Sequence, residues 1–356
     1  MSEAGGDPGG KVLIEKVGRL GRITLNRPKL INALDHEMVR RIDAALLEWA
    51  DDPQVQTVLV TGAGERGLCA GGDIVAIHRD ARAIQSGGDG RGSLDFWRDE
   101  YILNARIANY EKPYVAFMDG IVLGGGVGIS AHGSHRVVTE RSSIGMPEVG
   151  IGFVPDVGGT YLLARTPGAI GVHAALTTER LGPGDAVAAG FADHFVPSGR
   201  LAELAAVLED QPADEAIARF AQPAPASERM AQRAWIDRCF GANTVEDILE
   251  WLASETDPAA AKAVEQIRGK SPTALKVTLR SIQEAERLDL LEEVLDVEYR
   301  VSSACLRSAD LAEGIRAQVI DKDRTPQWSP ARLEEVTVHQ VAEFFAPLGD
   351  EELGLS

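Results

Sequence analysis

The segment Tyr114-Val-Ala-Phe-Met-Asp119-Gly120-Ile-Val-Leu-Gly124-Gly125-Gly126-Val127-Gly128 is the most telling stretch of the chain. Its first six residues read as a short strand, and the rest as a glycine-rich turn that feeds a helix. Residues 120–159 hold 11 of the 37 glycines of the chain, so the backbone there turns tightly or approaches something closely. The most apolar run, Val115 to Ala131, belongs to this segment. Asp119 and several glycines interrupt it, and it is too short to span a bilayer.

Upstream, Val12 to Val17 and Leu20 to Leu25 read as a strand pair, with Gly18 and Gly21 assigned to the turn. Asn26-Arg27-Pro28 ends the second strand. Asp35 is placed to cap a helix whose one face carries Met38, Ile42, Ala45, Leu46 and Trp49. Val55 to Thr61 follows as a buried strand. Beyond it come the loop Leu68 to Asp73, a helix over Ile74 to Ile84, a flexible glycine-rich loop at 86–93, a helix from about Leu94 to Asn109, and a strand at Arg136 to Thr139. Helices alternating with strands to about residue 200 indicate α/β layers. The expected organisation is a disordered leader at 1–10, a catalytic core at 11–200, a helical connecting region at 201–268 with a loose linker at Gln211 to Ala226, a C-terminal helical region at 269–348, and a frayed tail at 349–356.

The chain has 356 residues, enough to bury a sizeable core. Its formal net charge of −18 argues against nucleic acid or an anionic membrane as partner. Cys69, Cys239 and Cys305 are far apart and odd in number, with no metal-ligand spacing or disulfide framework, which fits a reducing cytosol. The first ten residues lack the basic start and apolar run of a signal peptide. The expectation is a cytoplasmic enzyme.

Three places carry candidate chemistry. The turn at Gly124 to Gly128 exposes backbone N–H groups suited to a developing oxyanion, though close strand–helix packing explains the glycines equally well. Ala70-Gly71-Gly72-Asp73 is a second such loop before a helix, and two loops together could serve one carbonyl oxygen. Glu148 and Asp156 stand eight residues apart in an apolar, glycine-rich stretch. Each could cap a helix or face solvent. Alternatively they line a pocket whose apolar walls raise one pKa and make it a base or nucleophile. His132 and His135 lack a third metal ligand, and the aromatic and charged mixture at Asp95 to Tyr101 fits ordinary amphipathic packing.

Taken in order, Leu25-Asn26-Arg27-Pro28-Lys29 with Asn32-Ala33-Leu34, Cys69-Ala70-Gly71-Gly72-Asp73-Ile74, and Leu123 to Gly128 resemble the crotonase (enoyl-CoA hydratase/isomerase) superfamily over roughly residues 10–200. Within it the chain is similar to the 3-hydroxyisobutyryl-CoA hydrolase branch. Phe96 to Asn104, Gly124 to Gly128, Met146-Pro147-Glu148 with Pro155 to Gly159, and Glu313 to Asp323 with Pro326 and Trp328 carry that closer likeness, which reaches about residue 332.

The resemblance implies an α/β fold: a spiral of ββα units in two sheets, with additional C-terminal helices. It implies hydrolysis of a short-chain 3-hydroxyacyl-CoA thioester in valine degradation. Gly72 and Gly125 match the oxyanion hole, Glu148 the catalytic carboxylate, and Glu100 and Asp156 further substrate-site residues; Asp156 is counted with Glu148 as catalytic, and Gly125, Glu148 and Asp156 also count among the substrate contacts. Arg27 and Lys29 could face the CoA moiety or simply solvent. Family hydratases carry a second glutamate where this chain has Gly128, and a glycine where it has Asp156. The implied partner is an acyl-CoA substrate, with no metal and no separate cofactor, because CoA arrives with the substrate. A homo-oligomer is left open. The alternatives are an enoyl-CoA hydratase or isomerase, and a catalytically silent acyl-CoA-binding protein.

Overall fold

The computed structural model describes residues 9–356. Residues 1–8 of the expected leader lie outside the described residues. Gly10, the last of that leader, is buried, and its carbonyl accepts a hydrogen bond from Asn26 Nδ2 at 3.0 Å.

Among the described residues nine strands run in chain order: β1 (Val12–Val17), β2 (Leu20–Leu25), β3 (Thr57–Gly62), β4 (Gly67–Cys69), β5 (Tyr114–Met118), β6 (Ile121–Leu123), β7 (His135–Val138), β8 (Ser143–Gly145) and β9 (His194–Phe195). One sheet has the order β1-β2-β3-β5-β7-β9 and the other β4-β6-β8. Only β1 and β2 pair antiparallel in the larger sheet; the pairings from β2 to β9 are parallel. Parallel neighbours need a crossover rather than a tight turn. The helix His36–Ala50 supplies the first crossover, between β2 and β3. Asp35 caps it by accepting from Met38 N, and Met38, Ile42, Ala45, Leu46 and Trp49 are all buried, as the periodicity predicts. Gly18 makes the hairpin turn at φ +59°, but Gly21 does not share it. Gly21 lies inside β2, where a Cβ would sit 2.5 Å from the Trp49 ring.

The chain divides into two compact units, neither one continuous stretch. The first comprises the residues through Gly72, Ile102–Ile144 and Leu181–Glu228. It carries the sheets up to Ile144 of β8. The supposed linker at 211–226 is ordered here. It contains the helix Ala213–Ala218, and Ala213, Ala216, Ile217 and Phe220 pack with Leu20, Leu59, Val115 and Phe117. Its apolar residues recur at helical spacing, a pattern that the flanking prolines obscure in the sequence.

The second unit comprises Asp73–Tyr101, Gly145–Arg180 and Arg229–Ser356, and is helical. Local chemistry starts its helices. Thr244, Asp257 and Ser271 accept from backbone N–H groups in the first turns, and Pro258 and Pro272 follow two of these caps. The loop expected at 86–93 ends early, because the helix Arg91–Ala108 begins inside it, with Asp89 accepting from Arg91 N at 3.1 Å. Residues 349–356 are not frayed. Asp296 accepts from Leu355 N, Ser356 N and Ser356 Oγ, Glu352 pairs with Arg300 at 2.9 Å, and Leu353 is buried. No helix among the described residues is long and apolar enough to cross a membrane.

Candidate active site

The two glycine loops belong to the first unit. Gly72 forms an isolated parallel bridge with Leu34, and Leu34 N donates to Gly71 O at 2.8 Å. Gly125 opens the helical turn Gly125–Gly128 directly after β6. The loops are neighbours: a Cβ on Gly71 would lie 3.8 Å from Gly125 N. Packing and donation fall on different glycines. At Gly126 a Cβ would meet Cys69 O at 2.5 Å, so that residue serves close approach. Among the described residues no backbone hydrogen bond outside the regular helices and strands uses the N–H of Gly72 or of Gly125. Two free donors on adjacent loops suit an oxyanion. Arg27, a candidate for the CoA moiety, turns onto its own chain, donating to Ala33 O at 2.7 Å, while Lys29 is exposed. Among the described residues no group of three or more His, Cys, Asp or Glu is placed to hold a metal ion.

The acids belong to the second unit. Glu148 opens the 3-10 turn Glu148–Ile151 behind Pro147. That turn is locked backbone to backbone against the helix Ala309–Ile315. A Cβ on Gly152 would lie 2.3 Å from Asp310 O, and one on Gly314 would lie 2.3 Å from Ile151 O. Asp310 is itself fixed by Ser271 Oγ at 2.5 Å and Ser329 N at 2.8 Å. Glu148 is 6% exposed, and its Oε2 has no hydrogen-bond partner among the described residues. Glu100, on the helix Arg91–Ala108, is equally buried, and its Oε1 also lacks a partner. Trp97 and Phe153 stack at 5.3 Å between centroids as an apolar wall.

Asp156 sits in the loop before the helix Gly159–Ala164. Tyr101 Oη donates to its Oδ2 at 2.7 Å and lies 2.8 Å from Ser302 Oγ, so Ser302 supplies the hydrogen to Tyr101. Burial, reinforced by the negative charge of Asp156, holds the Glu148 and Glu100 carboxyls well above the usual carboxylate range. Burial pushes Asp156 up to about 7, against the hydrogen bond from Tyr101. Among the described residues no cation compensates these groups: burial accounts for all three upward shifts, and the charge of Asp156 adds to those of Glu100 and Glu148.

A fourth acid, Glu298, escapes the sequence reading. It lies on the helix Leu291–Arg307, and burial pushes it up to about 8. Its Oε2 accepts from Gly158 N at 2.6 Å, and its Oε1 from Thr160 N at 2.9 Å and Thr160 Oγ1 at 2.5 Å. A signal exists in the sequence. Leu291, Val294, Leu295, Val301 and Cys305 make an apolar stripe, and Glu298 and Ser302 interrupt that stripe.

With this geometry in hand, the sequence profile of the enoyl-CoA hydratase/isomerase family matches residues 20–345. The chain belongs to that family. This enoyl-CoA hydratase/isomerase family member is 45% identical to the rat (Rattus norvegicus) protein named "3-hydroxyisobutyryl-CoA hydrolase, mitochondrial", over 96% of this chain and 90% of the relative. A crystal structure titled as a carnitinyl-CoA dehydratase from Mycobacterium thermoresistibile superposes with a TM-score of 0.93 at 51% identity, covering 97% and 98% of the two chains. One titled as an enoyl-CoA hydratase from Rhodobacter sphaeroides gives 0.91 at 46%, covering 97% and 99%. The family and the α/β fold are those expected. The cytoplasmic placement is corrected, because the hydrolase relative is named mitochondrial. Buried free thiols separate reducing from oxidising surroundings and do not tell one reducing compartment from another.

Proposed function

We propose that the chain hydrolyses a short-chain 3-hydroxyacyl-CoA thioester, with 3-hydroxyisobutyryl-CoA as substrate, releasing 3-hydroxyisobutyrate and the CoA thiol in a step of valine breakdown. The observation that carries this reading is the pairing of Glu148 with Asp156. Both are buried in one unit with no cation against them among the described residues, while position 128, where family hydratases resemble one another in carrying a second glutamate, has no side chain. Hydration of a C=C bond needs water activated and a proton delivered to the α-carbon. Thioester hydrolysis needs attack at the carbonyl carbon, a place for the oxyanion, and a thiolate leaving group. One strong base and two N–H donors meet the second set of demands.

In this reading the Gly72 and Gly125 N–H groups receive the oxyanion. Glu148, with its raised pKa and free oxygen, takes a proton from water or attacks the carbonyl carbon itself. Asp156 orients the substrate hydroxyl or the water, and Glu100 completes the substrate contacts. When the tetrahedral intermediate collapses, the C–S bond breaks and the thiolate takes up the proton that Glu148 drew from water. Where Glu148 itself attacks, the collapse leaves an acyl–Glu148 anhydride, which water then cleaves to release the acid and free the carboxylate, the water's proton going to the thiolate. CoA enters with the substrate, and no further cofactor is invoked.

The titles of the two superposable structures favour a second reading, hydration or dehydration of an acyl-CoA by the same residues. Both substrate classes present the same carbonyl to Gly72 and Gly125, so binding does not separate them. Following free thiol and C=C absorbance in parallel does. The expected outcome is thiol release from 3-hydroxyisobutyryl-CoA and slow or no hydration of crotonyl-CoA. Rapid loss of crotonyl-CoA absorbance, with no thiol from either compound, transfers the assignment to the hydratase.

A further inference from the structure

Asp156 is followed by an unusual turn. Val157 has φ +56° and Gly158 φ +74°, so a β-branched residue sits in the left-handed region immediately before a glycine that shares it. A branched side chain is strained there and persists only where its surroundings enforce the conformation. The enforcing group is Glu298. Its two oxygens receive the N–H groups on either side of Gly159, from Gly158 and from Thr160, together with the Thr160 hydroxyl. All three bonds are buried, and the acid comes from a helix about 140 residues further along the chain. On the other side Asp156 O accepts from Gly159 N at 2.7 Å, so the turn that Glu298 holds is the one that aims the Asp156 carboxyl at Tyr101.

We propose that Glu298 is a positioning residue for the reaction. By fixing the Val157–Gly159 turn it keeps the Asp156 carboxyl in working orientation, and it acts through Asp156 rather than on the substrate. This inference rests on the reading of Asp156 as a functional group.

A double-mutant cycle tests it on the full chain. Glu298→Gln places an amide where one N–H donor needs an acceptor. We expect kcat for thiol release to fall about tenfold to a hundredfold, the scale of a misplaced catalytic group, with a smaller change in KM. In an Asp156→Asn background the same substitution costs less than about twofold, because residues that act as a unit are not additive. A residue that merely supports the fold lowers Tm and changes kcat by the same factor in both backgrounds, or not at all, and that result overturns the proposal. Unchanged kcat in Asp156→Asn also overturns it, since nothing is left for Glu298 to act through. If Glu298→Gln fails to fold, Thr160→Val removes a single bond and enters the same cycle. A substrate-free measurement separates this inference from the hydrolase reading. In Glu298→Gln the amides of Gly158 and Thr160 exchange with solvent several-fold faster, as expected for loss of a buried hydrogen bond to a carboxyl oxygen. The Phe153 amide, which donates to Glu148 O, keeps its rate. Unchanged exchange at Gly158 and Thr160 overturns the positioning role even if thiol is released. A wild-type protein that releases no thiol but shows the exchange difference loses the hydrolase reading and keeps the clamp.

Discussion

Glu179, half-buried, and Glu148, buried, are acids of the same unit, and their surroundings are opposites. Glu179 meets Arg229 at 2.5 Å, Lys262 at 2.6 Å and Gln266 at 3.2 Å, with His173 at 3.9 Å. Burial alone would push its carboxyl up. The hydrogen bond from Lys262 and the charge of Arg229 outweigh burial and hold it below the usual range. Glu148 has burial and two further acids, Asp156 and Glu298, and no cation among the described residues. The first arrangement keeps an acid ionised and uses it to join helices. The second keeps a proton on the acid to unusually high pH, which makes its ionised form a strong base. Both are withdrawn from water to some degree, so withdrawal by itself marks neither role.

The sharpest break in this comparison is Glu148→Gln. It conserves size and removes the base or nucleophile, so kcat should fall at least about 100-fold, with the fold intact by circular dichroism. Glu179→Gln should leave kcat of the folded protein unchanged and lower Tm. Near-normal turnover in folded Glu148→Gln would take Glu148 out of the mechanism.

A smaller effect concerns pH. If Asp156 works as its anion, thiol release should decline as pH falls through about 7. Tyr101→Phe deletes the O–H that favours that anion, so the acid limb of the kcat profile should move to higher pH. A limb that stays in place would detach Asp156 from the pH dependence.

The smallest effect is on stability, where the two sites should differ in sign. Asp156 and Glu298 have pKa values raised on folding. Their contribution is complete below the ordinary carboxylate range and is lost as pH rises through about 7 and about 8. Glu179 has a lowered pKa, so its contribution is present above the ordinary carboxylate pKa and is lost as pH falls through its lowered value. Tm should therefore drop by a few degrees between pH 6 and about 9, and Asp156→Asn should flatten that slope. Glu179→Gln should flatten the acid side instead. A slope unaffected by Asp156→Asn would remove this group from the stability balance.

Much of this was legible in the sequence, for physical reasons that can be named. The hairpin, the first crossover helix and its Asp35 cap follow from local chemistry and periodicity. Glu148 and Asp156 stand out because acids are rare in a glycine-rich apolar run. Gly21 was misassigned because its need for space comes from Trp49, 28 positions away. The helix at 213–218 was hidden by its prolines. Glu298 was missed because its partners, Gly158 and Thr160, are local only in three dimensions. The bend at Val157 has no local sequence cue, since valine ordinarily avoids it.

The interlock of Gly152 with Gly314 bears on how such a chain can be recombined. Backbone meets backbone at both positions, so the turn carrying Glu148 and the helix Ala309–Ile315 fit as mould and cast. A hybrid joining residues 1–200 of this chain to the C-terminal segment of another family member would inherit half of the joint. It would assemble only where the donor also brings a glycine at the position of Gly314. Any other residue there puts a Cβ into the carbonyl of Ile151, three residues from Glu148. The two segments are therefore inherited as a pair, and drift in one is constrained by the other.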